Sequence, residues 1–593
     1  MKHERLTKIK ALAVFSSDAL SSVAYATEEI MLVLILAGTA AVGLAWPIAL
    51  GIATLLVIVS FSYYQTIHAY PSGGGAYIVS HENLGQIPGL TAAAAILTDY
   101  VLTVSVSVTA GVAAITSAFP VLYPYRIPLC IFFVALVMTL NLRGIRESGT
   151  LFSIPTYAFV AIMLAMIAAG MLRWVSSGMP AAQPPQIDTP VVQTLTLFLI
   201  LRAFSSGCAA LTGIEAMADG VPVFKSPEAQ NAGRTLIAMA TLLITMFLGI
   251  TFLAHQFGIA PDPSTHETLV STLGRFIFGS GSPLYLVLQI ATMLILILAA
   301  NTSFADFPRL SSILARDRYM PHQFSNVGDR LVFSNGIFVL ALASSALIVI
   351  FGGQTTPLIP LYAIGVFMSF TLSQAGMVVR WFRQRAPGWY VKAAINGLGT
   401  VTTGVVLVVL AATKFALGAW IVLLWIPIFI SFFLSVNRHY KRVAEQLSLE
   451  DRGSLPPIRR HRVVVPIANV HQGVIAALNY ARSISDDVTA VYVEVNPAET
   501  ESVKRKWADW GEGVRLVTLP SDYRSIVGPL IDYVDKIDEA HRRDQVITIV
   551  LPQFVPARRW HNLLHNQSAL LIHLAFLFRR DVMVTDVPFR LEE

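Results

Sequence analysis

The stretch Ser16-Ser17-Asp18-Ala19-Leu20-Ser21-Ser22-Val23-Ala24-Tyr25 sets a carboxylate, serine hydroxyls and a phenol inside an apolar run, between Ala11–Phe15 and Ile30–Leu36. A carboxylate in mid-membrane costs roughly 2.5–3.5 kcal/mol on insertion scales, so it is kept where it has a partner or a task. Serine hydroxyls can satisfy backbone groups freed where a helix unwinds, the chemistry of a broken membrane helix around a small ligand. The plainer alternative is an aspartate paired with a cation on another span. Ser205-Ser206-Gly207-Cys208-Ala209-Ala210-Leu211-Thr212-Gly213-Ile214-Glu215 interrupts a second apolar run in a similar way. A third run carries Asp99, Tyr100, Thr103 and Ser107. Asp99, Thr103 and Ser107 follow at i, i+4 and i+8, which lines one helix face with an acid and two hydroxyls. Glu215 stands three residues after Thr212 at the second interruption, so an acid sits at each of the two breaks. Tyr362 lies in a later span as an anchor or a ligand, and Arg202 could neutralise one of the acids.

These residues need membrane-spanning helices to hold them. At 55% hydrophobic and 13% charged, with a mean hydropathy of +0.63, the chain reads as a polytopic membrane protein. Twelve apolar segments are expected as spans, at about 8–38, 44–69, 88–118, 125–142, 150–173, 193–221, 232–257, 283–305, 334–352, 357–380, 393–413 and 418–436. With the amino terminus inside, Lys and Arg crowd the inner segments and leave Arg126, Arg173, Arg275 and Lys414 outside. That asymmetry predicts both termini in the cytoplasm and explains the net +6 charge without a nucleic-acid partner. The interruptions fall in the first and sixth spans, five apart, as in inverted-repeat transporters that bind substrate near midplane. Two ordinary helices closely packed through small residues are the alternative. Cys130 and Cys208 both sit in apolar runs, so neither a disulfide framework nor a zinc site is expected.

Between the second and third spans, Tyr70-Pro71-Ser72-Gly73-Gly74-Gly75-Ala76-Tyr77 suits a tight gate loop. Residues 305–319 are expected to form short surface helices. The domain boundaries read as a transporter domain over 1–437, a linker over 438–459 and a cytoplasmic α/β domain over 460–593. In the last, strands at 463–467, 488–493, 514–519, 546–551 and 582–584 alternate with helices near 472–485, 499–510, 525–541 and 560–578, which predicts a doubly wound parallel sheet. The loop 552–561 after the fourth strand lacks glycine, which argues against cradling a triphosphate. Arg558, Arg559, His561, His565, Asn566 and Gln567 could meet an anion or a second subunit.

The segments 16–25, 71–77, 99–103 and 205–215, with Ala315-Arg316-Asp317, Leu361-Tyr362-Ala363 and His565-Asn566-Gln567-Ser568-Ala569, resemble the KUP family of bacterial potassium importers, within the amino acid–polyamine–organocation superfamily. The resemblance runs from about Leu6 to the carboxyl end. It implies a polytopic α-helical membrane protein with a LeuT-like 5+5 inverted repeat in twelve spans, plus a cytoplasmic universal-stress-like α/β domain. It implies proton-coupled potassium uptake in the bacterial cell membrane by a homodimer joined through the cytoplasmic domains. Family potassium ligands carry over to Asp18, Tyr25, Asp99, Tyr100, Thr103, Ser107, Thr212, Glu215 and Tyr362, with Glu215 as the proton-coupling group. Cyclic di-AMP is implied as an inhibitor, at residues that the resemblance does not place; no cofactor is implied.

An amino acid permease of the same superfamily is the competing expectation. In such permeases backbone N–H groups at a break in the first span meet the substrate carboxylate. Asp18 holds that place here, and like charges repel strongly at low effective dielectric. Acid and hydroxyl oxygens suit a cation shedding its water. A membrane-anchored sensor would not need acids on three spans. No nucleophile elbow or base–nucleophile pair is legible, so no enzyme is expected.

Overall fold

The computed structural model describes residues 5–143, 149–180, 182, 185, 191–262, 265–326, 333–448, 460–521, 525–540, 545–556, 568–579 and 582–591. They divide into two units, Met1–Leu447 and Ser448–Glu593.

In the first unit, 10 helices among the described residues are long and apolar enough to cross a membrane. Two of the twelve expected spans fall outside that set. The first is split into Lys8–Phe15, Ser17–Ser21 and Val23–Leu34. The ninth, Ser334–Ile350, is apolar but only 17 residues long. The serines do the splitting, and each returns its hydroxyl to a carbonyl of its own turn. Ser17 donates to Val14 at 3.2 Å, Ser21 to Asp18 at 2.8 Å and Ser22 to Ala19 at 2.7 Å. Such back-bonding supplies a carbonyl with a partner where the helical ladder is interrupted.

The sixth segment breaks more sharply. Thr196 caps its start by accepting the Leu199 N–H at 3.3 Å, and the helix Leu197–Gly207 tightens into a 3₁₀ turn over Cys208–Leu211. Thr212 is then extended, Gly213 is left-handed at φ 78°, and a short helix resumes at Ala216–Asp219. Only glycine takes that backbone cheaply, and here space forbids a side chain too. A Cβ on Gly213 would lie 2.6 Å from Ala19 N and 2.8 Å from Asp18 Oδ2. The two breaks therefore touch. Ser22 Oγ also reaches the Ala210 carbonyl at 3.4 Å, a second link between them.

The unbroken helix Gln86–Ala118 carries the third acid face, and Ile359–Gln384 packs on it. A Cβ on Gly365 would stand 2.9 Å from the Ala95 carbonyl and 3.6 Å from Asp99 Cβ, so the two backbones meet beside Asp99. The triple-glycine loop joins Ala45–Ala69 to Ala76–Leu84 and lies on the end of the sixth segment. Gly74 N–H donates to the Ala218 carbonyl at 3.1 Å, and a Cβ on Gly75 would collide with the Asp219 carboxylate.

Two sequence expectations for this unit and its end need correction. Residues 305–316 continue the 34-residue helix Pro283–Arg316 rather than forming surface helices, because Phe307, Leu310, Ser311 and Leu314 are buried. Helix Ala419–Leu447 runs on through 438–447, assigned above to the linker, while 449–459 lie outside the described residues.

The second unit is a parallel five-stranded sheet of β1 (Arg460–Ile467), β2 (Asp487–Glu494), β3 (Arg515–Pro520), β4 (Gln545–Val555) and β5 (Val582–Arg590), in the order β3-β2-β1-β4-β5. Both faces are covered, which is why β1 reads as an unbroken apolar run. Val463 and Val465 pack on one face with Leu478, Tyr492 and Trp507. Val464 packs on the other with Val491, Leu530, Val534 and Phe576. Residues Pro552–Val555, expected as loop, extend β4 instead and pair with Val587–Arg590. Arg558, Arg559, His561, His565, Asn566 and Gln567 lie outside the described residues.

Candidate ion-binding site

Asp18, Thr212 and Glu215 reach one region because the two broken segments touch; Asp99 and Thr103 reach it because Gly365 lets Ile359–Gln384 lie flush on Gln86–Ala118. Asp18, Asp99 and Glu215 are all buried, at 8%, 7% and 7% exposure. Asp99 lies within electrostatic reach of both Glu215 and Asp18. Tyr25 closes one side and stands within hydrogen-bonding range of Thr212. Tyr362 faces Thr103 from the helix Ile359–Gln384.

The polar atoms here are under-satisfied. Asp18 Oδ1, Asp99 Oδ1 and Thr103 Oγ1 are buried without a hydrogen-bond partner, so Thr103 faces Tyr362 without a well-formed bond to it. A buried polar group left alone costs about 1–3 kcal/mol, more when charged. Three such oxygens beside one another are the arrangement that a dehydrated cation would satisfy. Glu215 differs, since its Oε2 accepts the Ser369 hydroxyl at 3.0 Å. No Lys or Arg among the described residues comes within reach of Asp18, Asp99 or Glu215. That removes the reading of Asp18 as one half of a structural ion pair. Arg202, the candidate neutraliser, stands instead near Lys414.

Two predicted residues sit apart. Tyr100 feels Asp306 and Asp219 most strongly, and then Glu215 and Asp99. Ser107 is buried at 1% exposure, one turn beyond Thr103, and no described contact joins it to the acids. Asp219 and Asp306, which the sequence reading does not single out, join the acids, with Asp306 in reach of Asp18 and Glu215, and Arg309 in reach of Asp219 and Asp306. The i, i+4 spacing of Glu215 and Asp219 was a usable signal. Asp306 gave none, because 305–319 reads as surface in the sequence.

Comparison with known proteins weighs this site within a family. A model described as the KimA potassium transporter C-terminal domain matches residues 459–589, and one described as amino acid permease matches residues 6–435. The potassium transporter KimA of Bacillus subtilis (strain 168) is 47% identical over 592 residues, covering 100% of this chain and 96% of that protein. The chain belongs to the KimA family. Its membrane unit is therefore a polytopic helical transporter of amino acid permease type, and the chain is a transporter rather than an enzyme. More distant relatives are the low-affinity putrescine importer PlaP of Escherichia coli (strain K12), 22% identical over 66% of this chain and 85% of that protein, and the mitochondrial cationic amino acid transporter 3 of Arabidopsis thaliana, 24% identical over 58% and 59%.

Proposed function

We propose that this chain imports potassium across the bacterial cell membrane by alternating access, coupled to proton entry. The observation that carries the reading is the trio of unpartnered buried oxygens, Asp18 Oδ1, Asp99 Oδ1 and Thr103 Oγ1, with no basic side chain in reach. Tyr25, Thr212 and Tyr362 complete the ligand shell around potassium. Tyr100, Ser107 and Glu215 serve the path beside it, and Glu215 exchanges the coupling proton. The wider frame comprises twelve spans in a LeuT-like 5+5 inverted repeat, both termini cytoplasmic, with a universal-stress-like soluble domain. Whole-chain identity to a potassium transporter supports that frame. An amino acid substrate is disfavoured, because its carboxylate would face Asp18 across a low-dielectric gap.

A homodimer joined through the cytoplasmic domains belongs to the same proposal. Its support is the last helix, Ser568–Leu577, which is apolar nearly throughout. Ile572 and Phe576 bury on the sheet, while Leu570, Leu571, Leu574 and Leu577 stay about half-exposed and Phe578 is 88% exposed. A continuous apolar face of that kind marks an association surface. Inhibition by cyclic di-AMP completes the proposal, with no residues assigned to it.

The test is flux into proteoliposomes under an imposed pH gradient, comparing potassium, rubidium, sodium and alanine, with Asp18→Asn alongside. Potassium and rubidium should enter, and the variant should insert normally yet lose uptake. Uptake of alanine instead, or wild-type potassium uptake by the variant, would overturn the reading.

A further inference from the structure

Beyond Tyr25, on the side away from Asp18, the helix Val23–Leu34 carries two consecutive acids with no part in the site described above, Glu28 and Glu29. Each holds a different element. Glu28 Oε2 accepts the backbone N–H of Leu269 at 2.9 Å, at the start of the helix Leu269–Phe278. Glu29 Oε1 accepts the hydroxyl of Thr356 at 2.8 Å, in the turn that leads into the helix bearing Tyr362. The two bonds border a cavity lined by Tyr25, Glu28, Glu29, Thr292, Thr355 and Thr356. Tyr25 is thus shared between that cavity and the ion site.

A third contact ties this end of the molecule together. Lys414 is 3% exposed, lies in electrostatic reach of Glu29, and donates its ammonium to the hydroxyl of Ser206. Ser206 lies in the helix Leu197–Gly207, which packs on Val23–Leu34 where Gly207 abuts Ile30. The Lys414 ammonium offsets Glu29 in a place where an unmatched carboxylate would be costly. It also couples the half-helix bearing Glu29 to the half-helix bearing Ser206, so the two are held as one body.

We propose that Glu28 and Glu29 are the closing contacts of the outer gate over the ion site, bound shut through Leu269 N–H and the Thr356 hydroxyl, with Lys414 bracing the half-helix that carries them. This inference rests on the transport reading above and its orientation in the membrane. The bonds span three elements, so releasing them frees Leu269–Phe278 and the start of Ile359–Gln384 from Val23–Leu34 together. A hydroxyl–carboxylate bond is suited to a gate, since it is strong enough to bias two arrangements and weak enough to break in each cycle.

The experiment reads access from outside. Ala113, on the cavity wall, is replaced by cysteine, and the rate of its modification by an externally added, membrane-impermeant methanethiosulfonate is measured in proteoliposomes. The parent without Ala113→Cys provides the blank for Cys130 and Cys208. Thr356→Val, which keeps the shape and removes the donor, should raise the rate about fivefold, the population shift that one net hydrogen bond supports. Glu28→Leu should raise it similarly, and Thr356→Ser should stay at the parental rate. Equal rates in Thr356→Val, Glu28→Leu and parent would overturn the gate, as would a Thr356→Ser rate as high as that of Thr356→Val. Labelling needs no potassium flux, so the two readings fail separately. Faster labelling in a protein that moves no potassium keeps the gate and removes the transport reading, whereas potassium uptake with unchanged labelling does the reverse.

Discussion

Gly213 holds the two broken segments in register, because its left-handed backbone turns the chain between Thr212 and Glu215 while its missing Cβ admits Asp18. Gly213→Ala should therefore weaken the site without removing a ligand, since the added Cβ presses on Asp18. A left-handed backbone costs a non-glycine residue roughly 1–2 kcal/mol, so apparent rubidium affinity should fall about tenfold while the protein still inserts. Transport at wild-type affinity would show that the breaks tolerate separation. The acids Asp18, Asp99 and Glu215 are legible in the sequence because a carboxylate stands out in an apolar run. Their convergence is less legible, since it depends on Gly213 and Gly365, whose role is to leave space. Tyr100 and Ser107 mark the limit of reading from spacing. Helical periodicity puts Ser107 in line with Thr103 on one face, but it does not tell which hydroxyls of that face are brought up to the acids of the other segments.

Apolar length and periodicity, the features that a sequence displays, give the elements their types, while burial decides their ends. Val463-Val464-Val465 announces a strand covered on both faces, and β1 is that strand. Helix Pro283–Arg316 outruns its expected end because Asp306 and Arg309 sit beside buried Phe307 and Leu310, so charge in the sequence looks like the membrane edge and is not. The start of the helix Gln472–Ile484 gives a prediction at this scale. His471 caps it, its ring Nδ1 accepting the Val474 N–H at 3.3 Å, and partial burial holds the ring below the ordinary histidine range. A folded pKa below the unfolded one means that the unfolded chain binds the extra proton first. The cap's stability is thus complete above the ordinary histidine pKa and is lost as pH falls below it toward the folded value. Amide hydrogen exchange over 472–484 should lose protection, by about fivefold for a cap worth about 1 kcal/mol, between pH 7.5 and 5.5. His471→Asn, which can cap without titrating, should flatten that dependence. An equally steep dependence in the variant would assign it elsewhere.

Across the whole molecule, two properties follow from surfaces and charges rather than from any one element. The exposed leucines of Ser568–Leu577 should carry association, so Leu571→Glu with Leu574→Glu should convert dimers in detergent to monomers by light scattering; a variant that stays dimeric would place the contact elsewhere. Coupling is the larger matter. Asp18, Asp99, Glu215, Asp219 and Asp306 form a chain of mutual electrostatic neighbours, and Arg309 is the cation that reaches it, at Asp219 and Asp306. On the transport reading proposed above, negative charge in excess of Arg309, the one cation in reach among the described residues, would be matched by a bound ion or removed by a proton, so potassium and protons would compete for these acids. Glu215 is placed to make the exchange. It stands in electrostatic reach of Asp18, Asp99, Asp219 and Asp306 alike, and Ser369 holds it through a single neutral hydroxyl that accommodates either protonation state. Asp18, with an oxygen unpartnered, is better suited to hold the ion throughout. Glu215→Gln fixes the uncharged form and keeps an acceptor for Ser369. An inward proton gradient should then no longer accelerate rubidium uptake into proteoliposomes, while rubidium exchange without a gradient persists. If the variant is accelerated as strongly as the wild type, the proton travels by another acid, and Asp306, which among the described residues is in reach of Asp18, Glu215 and Asp219 together, becomes the next to neutralise.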